Sequence, residues 1–148
     1  MKETDLHFFI DSTVNYFKEL TNEEANTGIP YVKDDEPLVL EYTGIIGISG
    51  KRKGSIYITA NQNMLGELAK AILGVEEVDT DSIRDLVGEI ANTIAGNVRQ
   101  AYGSDFLISV PVVIDGQTRD IKIPEEILSF VIPISWKTYK SFLVVCLE

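Results

Sequence analysis

The chain has 148 residues, of which 45% are hydrophobic and 24% charged, and its formal net charge is −10. That length can bury a real core in one domain spanning 1–148, and the negative charge repels a phosphate backbone, so no nucleic-acid partner is expected. No apolar run approaches the length that spans a bilayer, and MKETDLHFF lacks the basic-then-apolar order of a signal peptide, so a cytoplasmic protein without membrane contact is expected.

In chain order, DLHFFIDSTVNYFKEL places Leu6, Phe9, Ile10, Thr13, Val14 and Phe17 at helical spacing, predicting a helix that ends near Thr21–Asn22. His7, beside Phe8 and Phe9, reads as a partly buried or surface histidine rather than a base. The polar TNEEANTG and IPYVKDDEP follow, with extended backbone favoured before Pro30 and Pro37. Residues 38–60 form the clearest hairpin, β-branched and aromatic on both arms. Gly50 and Gly54 flank its basic turn, Lys51–Lys53, which reads as solvated. GIIGISG lies inside this strand pattern and has the wrong spacing for a phosphate loop.

NQNMLGELAKAILG predicts a second helix, with Asn61 or Asn63 as its cap and Gly74 as its stop. Residues 79–103 predict the longest helix, capped by Asp79, Thr80, Asp81 or Ser82 and stopped by Gly103. The tail reads as strands joined by turns: FLISVPVVIDG, a short RDIKIP, ILSFVIPISW and YKSFLVVCLE. Trp136 and Tyr139 flank the last turn as core or dimer-edge residues. The one cysteine, Cys146, reads as a small buried hydrophobe and permits no internal disulfide. This order gives an α/β (α+β) fold, with helices packed on a largely antiparallel sheet. One His and one Cys far apart suggest no zinc site, and no Ser, His and Asp set stands in a nucleophile context.

The long helix carries the pattern of interest. At about 100° per residue, Ile83, Leu86, Val87, Ile90, Ile94, Val98 and Ala101 gather on a core stripe. Asp85, Glu89, Asn92, Gly96 and Arg99 fall opposite, within about a quarter of the circumference. Asp85 and Glu89 repel at i, i+4, and Gly96 costs about 1 kcal/mol relative to alanine in a helix interior. Gly88 lies near the edge of the row. Glycines also serve internal packing, and polar outer faces are ordinary. The pairs Glu19–Asn22 and Glu23–Asn26 repeat the Glu/Asn spacing, but they straddle a helix end and a loop and lack a common face.

DLVGEIANTIAGNVRQ resembles the signature helix of the CheC/CheX/FliY phosphatases of bacterial chemotaxis. That signature is an acidic residue or serine, three residues, Glu, two residues, Asn, with a proline well downstream. Asp85, Glu89 and Asn92 match, and the element order matches along nearly the whole chain. The single Glu/Asn element is most similar to the CheX branch. Pro111 lies nearer to Asn92 than the signature proline does, and it is read as a strand or turn residue. The resemblance implies a homodimer that promotes hydrolysis of the aspartyl phosphate on a CheY-like receiver domain. Glu89 would pair with a receiver lysine and Asn92 would hold the attacking water, while Asp85, Gly96 and Arg99 would form the docking surface. The Mg²⁺ would be held by the receiver, with no cofactor on this chain. Two other readings stand beside it: a noncatalytic adaptor that binds a receiver or another signalling partner through the same helix, and a dimeric structural domain acting through an exposed strand edge.

Overall fold

The computed structural model describes residues 1–116 and 127–148. Its helices are α1 (Glu3–Thr21), α2 (Gln62–Leu73) and α3 (Thr80–Tyr102). Its strands are β1 (Asn26–Thr27), β2 (Tyr31–Val32), β3 (Tyr42–Gly50), β4 (Gly54–Ala60), β5 (Phe106–Ile108), β6 (Val112–Asp115), β7 (Ser129–Trp136) and β8 (Tyr139–Leu147). All described pairings are antiparallel, as expected, and β7, β8, β4 and β3 form the middle of one sheet. The short β1 and β2 share the outer side of β7, and β5 and β6 share the outer side of β3. RDIKIP lies outside the described residues.

Alternation along the long strands decides where the helices go. Ile46, Ile48, Ile56, Ile58, Ile132, Ile134, Leu143 and Val145 point to one face and are buried there against Phe9, Phe17, Leu65, Leu68, Val87, Ile90 and Ile94 of the helices. On the other face Tyr57, Val131 and Val144 form a smaller cluster, partly covered by Leu38, whose carbonyl accepts from the Tyr57 hydroxyl at 3.0 Å. Cys146 is buried in β8 and Trp136 is buried near Phe17, both as expected, with Tyr139 stacked on Trp136.

The longest helix lies directly on β3 because Gly44 puts no side chain between them, and close to β6 because Gly88 does the same there. A Cβ on Gly44 would stand 2.5 Å from the Val87 carbonyl oxygen and 3.3 Å from Gly88 Cα, and one on Gly88 would stand 3.0 Å from Val113 Cγ2. Gly88 therefore belongs to internal packing.

Several local expectations change. FLISVPVVIDG is two strands, because β3 pairs Ile48 with Ile108 but Ile45 with Val112, which leaves one extra residue on the outer strand. Ser109 fills the break by donating its N–H to the Gly47 carbonyl and accepting the Gly47 N–H on its hydroxyl, both at 2.9 Å. Asn61 does precede α2, but its side chain accepts from Glu41 N–H at 3.2 Å, while the Glu41 carboxylate accepts from Gln62 N–H at the helix start. Ala101 is exposed, because it opens into a polar groove between α1 and α3 that Asp11, Asn15 and Gln100 also line.

The basic turn is not merely solvated. Arg52 reaches across to the buried Asp5 with two contacts of 3.3 Å, while its Nε donates to the Glu148 main-chain oxygen at 2.6 Å. Tyr102 donates to the same carboxylate, and Lys2 N–H donates at 2.8 Å. Burial alone would raise the Asp5 carboxyl, but these donors and the Arg52 charge override it and bring it down to about 2. One carboxylate thereby ties together the start of α1, the hairpin turn and the end of α3.

Candidate active site on the third helix

Asp79 starts α3, its carboxylate accepting from Ser82 N–H at 2.8 Å, and Gly103 stops it at φ 99° with its N–H donating to the Arg99 carbonyl. Between these ends Ile83, Val87, Gly88, Ile90, Ala91, Ile94, Ala95 and Val98 are buried. The opposite side is a ridge. Asp85 and Glu89 are exposed on it, and Asn92 and Gly96 are half-buried.

Apart from Arg99, the described residues make no visible use of this ridge. Among the described residues the side chains of Asp85, Glu89 and Asn92 have no hydrogen bond or ion pair, although the neighbouring Arg84 pairs with Asp115. A Cβ on Gly96 would meet nothing within 4 Å among the described residues. The two glycines of the helix thus differ in kind: Gly88 is explained by what lies beneath it and Gly96 is not. Arg99 sits at the end of the row, where its Nε donates to the Phe106 carbonyl at 2.8 Å and fastens the helix to β5.

The ridge has two flanks. On one side a groove of about 350 Å³ runs between the three helices, lined by Tyr16, Leu20, Ile72, Leu73 and Leu86 as well as by Asp85 and Glu89 themselves. On the other side stands the break between β5 and β6. Pro111 lies there against Gly88, 3.6 Å from where its Cβ would be, between the exposed Val110 and Val112. Pro111 therefore flanks the ridge, one turn before Asn92 along α3.

Tyr16 lines the groove beside the ridge, and the helical spacing of α1, which picks out Leu6, Phe9, Ile10, Thr13, Val14 and Phe17, does not single it out. Burial first, and the Glu89 charge second, push its phenol up, so it stays protonated beside the ridge. Only the crossing of α1 over α3 reveals this proximity. The crossing is fixed by contacts such as Ser12 donating to the Ile94 carbonyl at 3.2 Å.

Chemically the ridge offers an amide that donates, accepts and never titrates at neutral pH, next to a carboxylate that attracts a cation. It holds no thiol and no imidazole: Cys146 is buried in β8, and His7 is exposed on α1, 3.7 Å from Glu3 Oε1. Among the described residues no group of three or more His, Cys, Asp or Glu side chains is placed to hold a metal, and no helix is long and apolar enough to cross a membrane. Such a surface suits the orientation of a water and a cation supplied by a partner.

The family model for the chemotaxis phosphatase CheX matches residues 42–135, which include all of α3. Two solved structures agree over almost the full length. The chemotaxis protein CheX from Desulfovibrio desulfuricans is 28% identical, with 98% of this chain and 99% of that chain covered and a TM-score of 0.86. CheX from Vibrio vulnificus is 27% identical, with 98% and 99% covered and a TM-score of 0.84. A structure of the CheX–CheY–BeF3–Mg complex from Borrelia burgdorferi shares the fold at 19% identity, with 97% of each chain covered and a TM-score of 0.77. No curated protein matches the sequence. With the family model covering most of the chain and the fold matching CheX structures end to end, the protein belongs to the CheX family of chemotaxis phosphatases.

Proposed function

We propose that this protein promotes hydrolysis of the aspartyl phosphate on a CheY-type receiver domain, in the cytoplasm, by inserting α3 at the phosphorylated site. The observation that carries this reading is the ridge itself: an acid, an amide and a glycine in one row, none of them engaged by the described fold. The Borrelia relative crystallised with CheY supports the class of partner.

In this reading Glu89 pairs with a receiver lysine and aligns the two proteins. The Asn92 amide oxygen accepts a hydrogen bond from a water while its NH2 donates to a neighbouring phosphoryl oxygen, which holds the water in line with the phosphorus. The water oxygen bonds to phosphorus, the bond from phosphorus to the aspartyl oxygen breaks, and a free carboxylate and phosphate are released, the water's protons leaving with the phosphate or passing to solvent. Positioning supplies most of the acceleration, as it does in phosphoryl transfer generally. The receiver contributes the Mg²⁺ that offsets charge on the phosphoryl oxygens. Gly96 admits the receiver surface, and Asp85 and Arg99 frame it. The protein acts as a homodimer through a sheet edge, and the outer side of β1 and β2, with Ile29, Tyr31 and Val32 exposed, offers one such edge.

The test mixes the protein with each phosphorylated CheY-type receiver of its own cell and follows loss of the acyl phosphate. Accelerated loss with at least one receiver is expected. Binding of a phosphorylated receiver without acceleration would replace the phosphatase by the adaptor.

A further inference from the structure

The groove beside Glu89 is one-sided. Its α1 and α2 wall is mostly apolar, with Leu20, Ala69, Ile72 and Leu73 beside the buried phenol of Tyr16, while the carboxylates and the other polar lining, Ser82, Asp85, Glu89 and Thr93, come from α3. Leu20 and Leu73 stand at its mouth with 44% and 60% of their surface exposed. An apolar wall facing a carboxylate wall fits an occupant of the same make-up: an aliphatic side chain with a cationic one beside it. A second copy of this chain, with net charge −10, would bring like charge to an acidic mouth.

We infer that the groove is the docking slot for the receiver, taking an aliphatic side chain of the receiver against Leu20, Ile72 and Leu73 while a neighbouring receiver cation meets Asp85 and Glu89. The inference rests on the phosphatase reading, because the groove and the ridge share Asp85 and Glu89 and one partner would cover both. The slot then does a different job from Asn92. It contributes binding that is the same before and during the reaction, and so governs KM rather than kcat.

Leu20→Ser and Leu73→Ser, combined in one variant, test this. Both side chains are exposed enough to leave the core intact. The measurements are kcat and KM for the phosphorylated receiver that wild type hydrolyses fastest, and the oligomeric state by sedimentation. The expected result is a KM raised about tenfold or more, a kcat within about twofold, and unchanged sedimentation. An unchanged KM would overturn the slot while leaving the phosphatase reading standing, and so would a change in oligomeric state, which would assign the groove to a second copy. If wild type itself hydrolyses no receiver, the phosphatase reading fails and the slot fails with it.

Discussion

Replacing Gly96 is expected to separate what the fold wants from what the partner wants. Glycine in a helix interior costs about 1 kcal/mol relative to alanine, through backbone entropy. A new Cβ at this position meets nothing within 4 Å among the described residues, so none of them opposes that gain. Gly96→Ala should therefore stabilise the protein by about 0.5–1 kcal/mol and raise the midpoint of thermal unfolding by about 1.5–3 °C for a chain of this size. Gly96→Gln adds a side chain that a helix tolerates well, so its stability should also rise or hold. Its length, however, would stand between the helix and a docked receiver, and turnover should fall about tenfold or more. Thermal unfolding followed by circular dichroism and acyl-phosphate loss measured on the same preparations read the two effects. Destabilisation by alanine would show that Gly96 serves the fold. Full turnover with glutamine would show that no partner comes close there.

The contrasting glycine is Gly44, where a Cβ would press within 2.5 Å of a helix carbonyl; Gly44→Ala should cost about 2 kcal/mol or more, seen as a lowered denaturant midpoint. The Asp5 cluster gives a pH signature. Its carboxyl is lowered from 3.8 to about 2, so on the order of 2 kcal/mol of stability is fully present above about pH 4 and lost as pH falls through about 2. Arg52→Met leaves that carboxylate buried with fewer donors. It should cost about 2–3 kcal/mol at neutral pH, and the deficit relative to wild type should shrink on acidification below about pH 4. Urea midpoints measured across that range check the sign.

Periodicity made the ridge legible. The same 100° step that collects Ile83, Val87, Ile90 and Ile94 on the core side puts Asp85, Glu89, Asn92 and Gly96 on the other, and one helix settles both faces. Strand alternation likewise placed the sheet, and Gly74 and Gly103 marked two helix ends correctly. What stayed hidden depends on contacts distant in sequence. Arg52 looks like turn chemistry until Asp5, 47 residues away, is brought beside it. Ala101 fits the core stripe, but the helix pair opens into a polar groove at that point. The extra residue that splits β5 from β6 follows from register against β3, which no local pattern encodes. Tyr16 and the apolar groove exist only where three helices meet.

The most direct measurement is the effect of Asn92→Ala on turnover and on affinity for the same phosphorylated receiver. Asn92 is half-buried and has no described side-chain partner, so the fold should be unaffected, which circular dichroism verifies. Loss of about 100-fold in kcat with little change in affinity is expected if the amide positions the water. Turnover equal to wild type would contradict the assignment of α3 as the active surface.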